Sequence, residues 1–271
     1  MRRARWLPAC GGLALAFLYL PVVVLAVFSF NGGRYTSHWD SFSLAWYERV
    51  LFPSGASASN DRMLQVLPGA LGLSLRLGAA AAVVGVVLSA LAALGLRGAR
   101  RLLTFPLVAL WSLPIVLPDV VLGVSWRGAF DRLGLEGGYA TLLLAHATMA
   151  AAFGLVVVRA RLSTLDPTLV EAARDLGASR LRATWHVVLP HLRPALLAAA
   201  LLGFTLSFDD FMVTFFLQPP SEPTLPMSMY SSVTRGASPA LNALATLSLL
   251  GTFLVAWVAM RLVRPQEATP P

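Results

Sequence analysis

Apolar and polar positions follow one another along this chain in long blocks. Apolar runs occupy about 7–30, 69–95, 102–126, 138–158, 194–217 and 240–260. Each is close to the roughly 20 residues a helix needs to cross a hydrocarbon core. Polar blocks at 31–68, 96–101, 127–137, 159–193 and 218–239 separate them. The pattern predicts an all-α polytopic membrane protein with six transmembrane helices.

The blocks differ in character. The first begins after MRRARW and ends in VVVLAVFSFN without an A-x-A cleavage site, so a retained helix is expected, bent at Pro21. In the following polar block, SFSLAWYERVL reads as a short helix on the membrane surface, with Trp39, Trp46 and Tyr47 as interfacial residues. The second run is rich in Ala and Gly, which allow close helix contact; Arg76 lies near its end and can snorkel outward. The third contains Pro106, Pro114, Pro118 and Asp119, so a straight helix is not expected. The fourth holds His146, read as an interhelical hydrogen-bond partner, and the fifth holds FTLSFDDFMVTFF.

Composition and charge sharpen this picture. Of 271 residues, 57% are apolar and 13% charged, whereas soluble domains carry about 25% charged residues. The net charge of +8 would suggest nucleic acid in a soluble protein. Here the basic groups lie between or beside the runs, so topology accounts for them and no nucleic-acid partner is expected. Six spans put both termini on one side. With the termini cytoplasmic, that side holds 14 of the 21 arginines, among them Arg2, Arg3, Arg5, Arg97, Arg100, Arg101, Arg261 and Arg264. The other side, Arg34 and Arg76 included, holds seven. This agrees with the positive-inside rule. The lone Cys10 forms no intrachain disulfide, and the four histidines show no metal-ligand spacing.

The 159–193 block, RARLSTLDPTLVEAARDLGASRLRATWHVVLPHLR, is long and patterned. Asp166-Pro167 reads as a helix start, an acidic cap followed by proline at the first helical position. Leu169, Ala172, Ala173 and Leu176 would form one apolar face, and Gly177 would permit a turn or a very close backbone approach. A second helix, with Leu181, Trp185 and Val188 on one face, would end before Pro190. The result is a helix–turn–helix hairpin, either packed under its own bundle or inserted into a groove on a partner.

Glu171-Ala172-Ala173, then Gly177, then Val187, Leu189 and Pro190 resemble the EAA loop of ABC-importer permeases. That loop reads E-A-A, three residues, G, nine residues, I, one residue, L-P. Only Val187 departs from it, by one methylene. The resemblance covers roughly 65–260, the permease core, with 1–64 as first helix and outer loop and 261–271 as cytoplasmic tail. Within the family, LPIVLPDVVLGVSW, SFDDFMVTFFL, TLPMSMYSSVTRG and PALNALATLSLL are most similar to the second permease of spermidine/putrescine importers. Where that branch often has Pro-Glu, this chain has Pro118-Asp119.

The resemblance implies a type I importer permease fold in the bacterial inner membrane, with the loop as coupling helix. It implies Glu171, Ala172, Ala173 and Gly177 as docking residues, and Val187, Leu189 and Pro190 as the end of the element. It also implies a second permease subunit, a cytoplasmic ATPase dimer and an extracytoplasmic solute-binding protein as partners. The chain has no G-x-x-x-x-G-K-[ST] loop, so no cofactor is expected in it; ATP and Mg2+ would be used by the partner ATPase.

Asp209 and Asp210 stand side by side in an apolar run, a costly arrangement unless water, cations or protein donors reach them. On a continuous helix they would point about 100° apart. One would face the pathway, and the other would pair with Arg76 or a backbone donor. With Asp119 they would make an acidic lining for a polyamine. The same machinery for another solute, such as a thiamine-like cation, ferric iron or an organic anion, is the alternative. A secondary transporter is a more distant one, disfavoured by the EAA spacing and the lack of a clear inverted repeat.

Overall fold

A computed structural model describes residues 6–33, 38–52, 62–97, 99–218, 222–235 and 239–262. The expected basic head with Arg2, Arg3 and Arg5, together with Arg34, Arg264 and the tail beyond 262, lies outside them.

The described chain is built from helices. In order they are α1 (Trp6–Phe28), α2 (Ala45–Leu51), α3 (Arg62–Gly95), α4 (Arg101–Trp111), α5 (Leu113–Val116), α6 (Asp119–Arg132) and α7 (Tyr139–Leu162). Then come α8 (Pro167–Asp175), α9 (Arg180–Ala183), a π-helical turn (Thr184–Val188), α10 (Leu189–Asp209), α11 (Met212–Leu217), α12 (Leu225–Arg235) and α13 (Pro239–Leu262). Five stretches among the described residues are long and apolar enough to span a membrane: Cys10–Phe28, Met63–Gly95, Tyr139–Leu162, Arg180–Asp209 and Pro239–Val258. The remaining expected span, 102–126, is divided into α4, α5 and α6. Its breaks fall at Ser112, ahead of Pro114, and at Leu117-Pro118, where the backbone is extended. Proline removes an N–H and disfavours helix in the residue before it, which accounts for the interruption.

Several expected boundaries move. The second helix begins at Arg62 rather than 69, so the end of the polar block is helical. Helix α6 runs to Arg132 through most of the expected 127–137 loop. The fifth span starts in the 159–193 block instead of after it, and breaks at Asp210.

The helices fall into two compact units. One contains α1, α2, the start of α3 to Pro68, and residues 228–252. Here Gly32 N–H donates to the Ser41 carbonyl at 2.8 Å and Ser43 N–H to the Phe30 carbonyl at 2.7 Å. Helix α2 follows, the short helix expected from SFSLAWYERVL.

The other unit contains α3 from Gly69, all elements through Met227, and α13 from Phe253. Its centre is α3, α7 and α10, which approach closely because small residues line their contacts. A Cβ at Gly85 would sit 2.5 Å from Ala150 Cβ, one at Gly154 would sit 2.9 Å from Ser89 Oγ, and one at Gly203 would sit 3.0 Å from Ala150 Cβ. Without water to drive association, such close van der Waals packing is what holds helices together in a membrane. Two apolar clusters flank this seam. Leu77, Leu122, Phe130, Leu142, Val213 and Leu217 form one. Leu155, Val158, Leu165, Val188 and Leu192 form the other, beside the 159–193 block. Trp111 Nε1 donates to the Ala151 carbonyl at 3.0 Å and ties the broken segment to α7.

Candidate functional site

The 159–193 block folds as a hairpin whose turns follow from its sequence. Asp166 caps α8 by accepting from Thr168 N–H at 2.9 Å, with Pro167 at the first helical position. That bond holds the Asp166 carboxyl below the usual carboxylate range. The helix ends in a Schellman motif. Ala178 N–H donates to the Ala173 carbonyl at 3.0 Å and Gly177 N–H to the Arg174 carbonyl at 2.9 Å, with Gly177 at φ +88°. Glycine is required here for its conformation. A Cβ at this position would meet nothing within 4 Å, so the expected turn is present and a close backbone approach within the subunit is not. Ser179 then caps α9.

Two expectations are corrected. The second helix does not stop before Pro190. It widens into a π turn in which Leu189 N–H bonds the Thr184 carbonyl, and it continues through Pro190 into α10. Proline has no N–H for the carbonyl one α-turn back, and the wider turn just before it absorbs that loss. Leu189 and Pro190 therefore join hairpin to span. The second correction concerns the apolar face. Of Leu169, Ala172, Ala173 and Leu176, only Ala173 is half-buried, and Leu176 is 90% exposed. Val170 and Val188 are the side chains that fasten the hairpin, packing into the cluster around Leu155 and Val158. Leu181 and Trp185 also point away.

The lone hairpin thus presents Leu169, Leu176, Leu181 and Trp185, with exposed Glu171, Ala172 and Gly177 among them; Val187, Leu189 and Pro190 are half-buried at its root. The base is closed by a pair the sequence reading missed, Arg161 and His191, whose side chains each bond the other's backbone carbonyl.

The acids separate by position. Asp119 lies at the start of α6 and is exposed. Asp209 ends α10 and is exposed; Asp210 follows in extended backbone at the break before α11. The continuous helix assumed for this pair is replaced by a corner. Asp210 accepts from Val213 N–H at 3.3 Å, and from Thr214 N–H and Thr214 Oγ1, each at 2.8 Å. Its side chain is 6% exposed and lies 3.5 Å from His146 Nε2. His146, on α7, is buried as an interhelical partner, with Nδ1 2.7 Å from Ser207 Oγ and Nε2 3.2 Å from Thr214 Oγ1. Thr214 gives its one hydroxyl hydrogen to Asp210, so its oxygen is left to accept from His146 Nε2–H; in the neutral ring Nδ1 then accepts from Ser207. Asp210 thus has the expected backbone donors. Arg76 is engaged elsewhere: its Nε donates to the Gly72 carbonyl, and among the described residues no ion pair joins it to either aspartate. The polar spacing of Ser207, Asp210 and Thr214 in an apolar run was the available signal for this cluster. No group of residues suited to a metal ion occurs among the described residues.

The described chain is thus a helical protein with long apolar spans, one broken span and a capped hairpin between two long spans. Residues 85–264 match the family described as the binding-protein-dependent transport system inner membrane component, and the chain belongs to that family. It is 36% identical over 262 residues to the Escherichia coli (strain K12) putrescine transport system permease protein PotI, covering 94% of this chain and 89% of that one. It is 35% identical over 249 residues to the spermidine/putrescine transport system permease protein PotC of the same strain, covering 92% and 89%. The fold is similar to that of a bacterial ABC transporter involved in the import of the acidic polysaccharide alginate, with TM-score 0.68 and 16% identity over 96% of this chain and 92% of that one. The MetNI methionine ABC transporter in an inward-facing conformation gives TM-score 0.64 at 19% identity, over 75% and 97%.

Proposed function

We propose that this chain is one of two permease subunits of an ATP-driven importer for putrescine, spermidine or a related polyamine. The observation that carries this reading is the identity of about one residue in three, over nearly the whole chain, to permeases named for those amines. The subunit itself performs no catalysis. A cytoplasmic ATPase dimer uses ATP and Mg2+, an extracytoplasmic solute-binding protein delivers cargo, and a second permease completes the pathway.

The hairpin is the coupling element. Two features support this: its root is packed into the span cluster through Val170 and Val188, and its outer apolar side chains are exposed in the lone subunit. Insertion of residues around Glu171, Ala172, Ala173 and Gly177 into an ATPase groove would bury that surface. Because α9, the π turn and α10 form one continuous rod, movement of the hairpin tilts the fifth span as a rigid body. Both termini and the hairpin lie in the cytoplasm, as the distribution of arginines supports.

Asp119 and Asp209 are the acids offered to a cationic cargo. A carboxylate facing lipid is costly, so exposed acids at span depth face the pathway or the second permease. Uptake of radiolabelled putrescine and spermidine into proteoliposomes holding the full complex, with its binding protein outside and ATP inside, tests the cargo. Saturable uptake of either amine is the expected result. ATPase stimulation by the loaded native binding protein without amine uptake would retain the importer and reject the cargo.

A further inference from the structure

The two adjacent aspartates occupy different chemical situations. Asp210 is consumed internally: Val213 N–H, Thr214 N–H and Thr214 Oγ1 donate to it, and buried His146 stands 3.5 Å away. Its side chain is only 6% exposed, so cargo has little access to it. Asp209, one residue earlier, is exposed at the last turn of α10. What separates them is the corner at Asp210 and Phe211, and the bonds that hold the corner cross from α7 to both sides of it. His146 reaches Ser207 on α10 and Thr214 on α11 with its two ring nitrogens, at 2.7 and 3.2 Å.

A break in an apolar span leaves backbone groups to satisfy and would otherwise be free to reclose as continuous helix. Here Asp210 takes up the first N–H groups of α11, and His146 pins both segments to α7. We propose that His146, Ser207, Asp210 and Thr214 form a positioning brace that fixes the broken fifth span and thereby sets where Asp209 stands on the pathway. None of the four touches cargo; they act through Asp209. This inference rests on the importer reading above for its consequence in transport, but the brace has its own readout.

The experiment uses the assembled complex in proteoliposomes and has two arms. In the first, initial uptake at saturating loaded binding protein is measured for Asp209→Asn, Thr214→Val, Thr214→Ser and the double variant Asp209→Asn with Thr214→Val. Each single loss is expected to lower uptake about tenfold. Thr214→Ser, which keeps the hydroxyl, should stay near wild type, and the double variant should be no slower than Asp209→Asn alone. Amounts of assembled complex are compared throughout. Independent, multiplicative losses in the double variant would overturn the proposal, as would unchanged uptake in Thr214→Val.

The second arm needs no transport. In a Cys10→Ser background, the Asp209→Cys thiol is labelled with a water-soluble, positively charged thiosulfonate. Adding Thr214→Val or His146→Leu should change the labelling rate about tenfold, while Thr214→Ser should not. Equal rates in all backgrounds would overturn the brace. If the wild type carries no polyamine but the labelling shift is present, the cargo reading fails and the brace stands.

Discussion

Arg161 and His191 lock the two ends of the hairpin by exchanging bonds: Arg161 Nε donates to the His191 carbonyl at 3.1 Å, and His191 Nε2 lies 3.2 Å from the Arg161 carbonyl. His191 Nε2 is also 3.2 Å from Thr164 Oγ1. The two residues are 30 apart in sequence and sit where α7 leaves the bundle and α10 re-enters it. The hairpin between them can therefore move with the two spans as one lever.

Opening this clasp should weaken transmission more than stability. His191→Ala is expected to cost less than about 1 kcal/mol, since the bonds are open to solvent. It should nonetheless lower the ATPase stimulation given by loaded binding protein. Stimulation equal to wild type, in a complex of equal thermal stability, would show the clasp to be unimportant.

Gly177 is held at φ +88° at the end of α8. A β-branched residue there is strained by roughly 1–2 kcal/mol, although no atom blocks it. Gly177→Val should loosen the Schellman turn and speed hydrogen exchange at the Ala178 amide, with the spans unaffected. Unchanged exchange at Ala178 would contradict the turn described here.

The helix seam predicts a contrast within α3. At Gly85 a Cβ would lie 2.5 Å from Ala150 Cβ and 3.0 Å from the Ala150 backbone carbon, whereas at Gly72 it would meet nothing within 4 Å. Gly85→Ala should destabilise the subunit by about 1–3 kcal/mol, and Gly72→Ala should be tolerated. Thermal unfolding in detergent distinguishes them; similar midpoints for both would mean that the packing is looser than described.

Asp166 carries a pH dependence. Its carboxyl is held low by the Thr168 N–H, so the cap is strongest above the ordinary aspartate range. Its contribution is lost as pH falls through the lowered folded value. Protection of the Thr168 amide should fall with acidification in the wild type and be low and pH-insensitive in Asp166→Ala, after correction for intrinsic exchange. A pH-independent wild-type amide would show that Asp166 does not cap the helix.

Much of this architecture is readable in the sequence because the bilayer imposes a length and a polarity on each span. Runs of about 20 apolar residues mark the first, fourth and sixth spans closely, and the prolines at 106, 114 and 118 mark the interrupted third one. Asp166-Pro167 and Gly177 mark the hairpin, because capping chemistry and positive φ are local requirements. What was not legible depends on neighbours. Nothing in a one-dimensional pattern says that Val170 rather than Leu169 faces the bundle, since the apolar residues left exposed on the hairpin are spaced like a buried face. The π turn hides the continuity through Pro190, a residue that reads as a stop. The corner at Asp210 depends on His146, far away in sequence. Adjacent aspartates suggest one acid on the pathway and one paired, but not which is which; burial and three donors make Asp210 the internal one.

If the hairpin couples a separate ATPase to cargo movement through this subunit, a charge placed on its exposed surface should abolish both activities together. The most direct test measures ATP hydrolysis and amine uptake together in proteoliposomes, for the wild type and for Ala172→Arg, which places a charge amid the exposed hairpin surface. The variant is expected to assemble with the second permease but to lose both uptake and the hydrolysis that loaded binding protein stimulates. Wild-type uptake and stimulation in Ala172→Arg would contradict it.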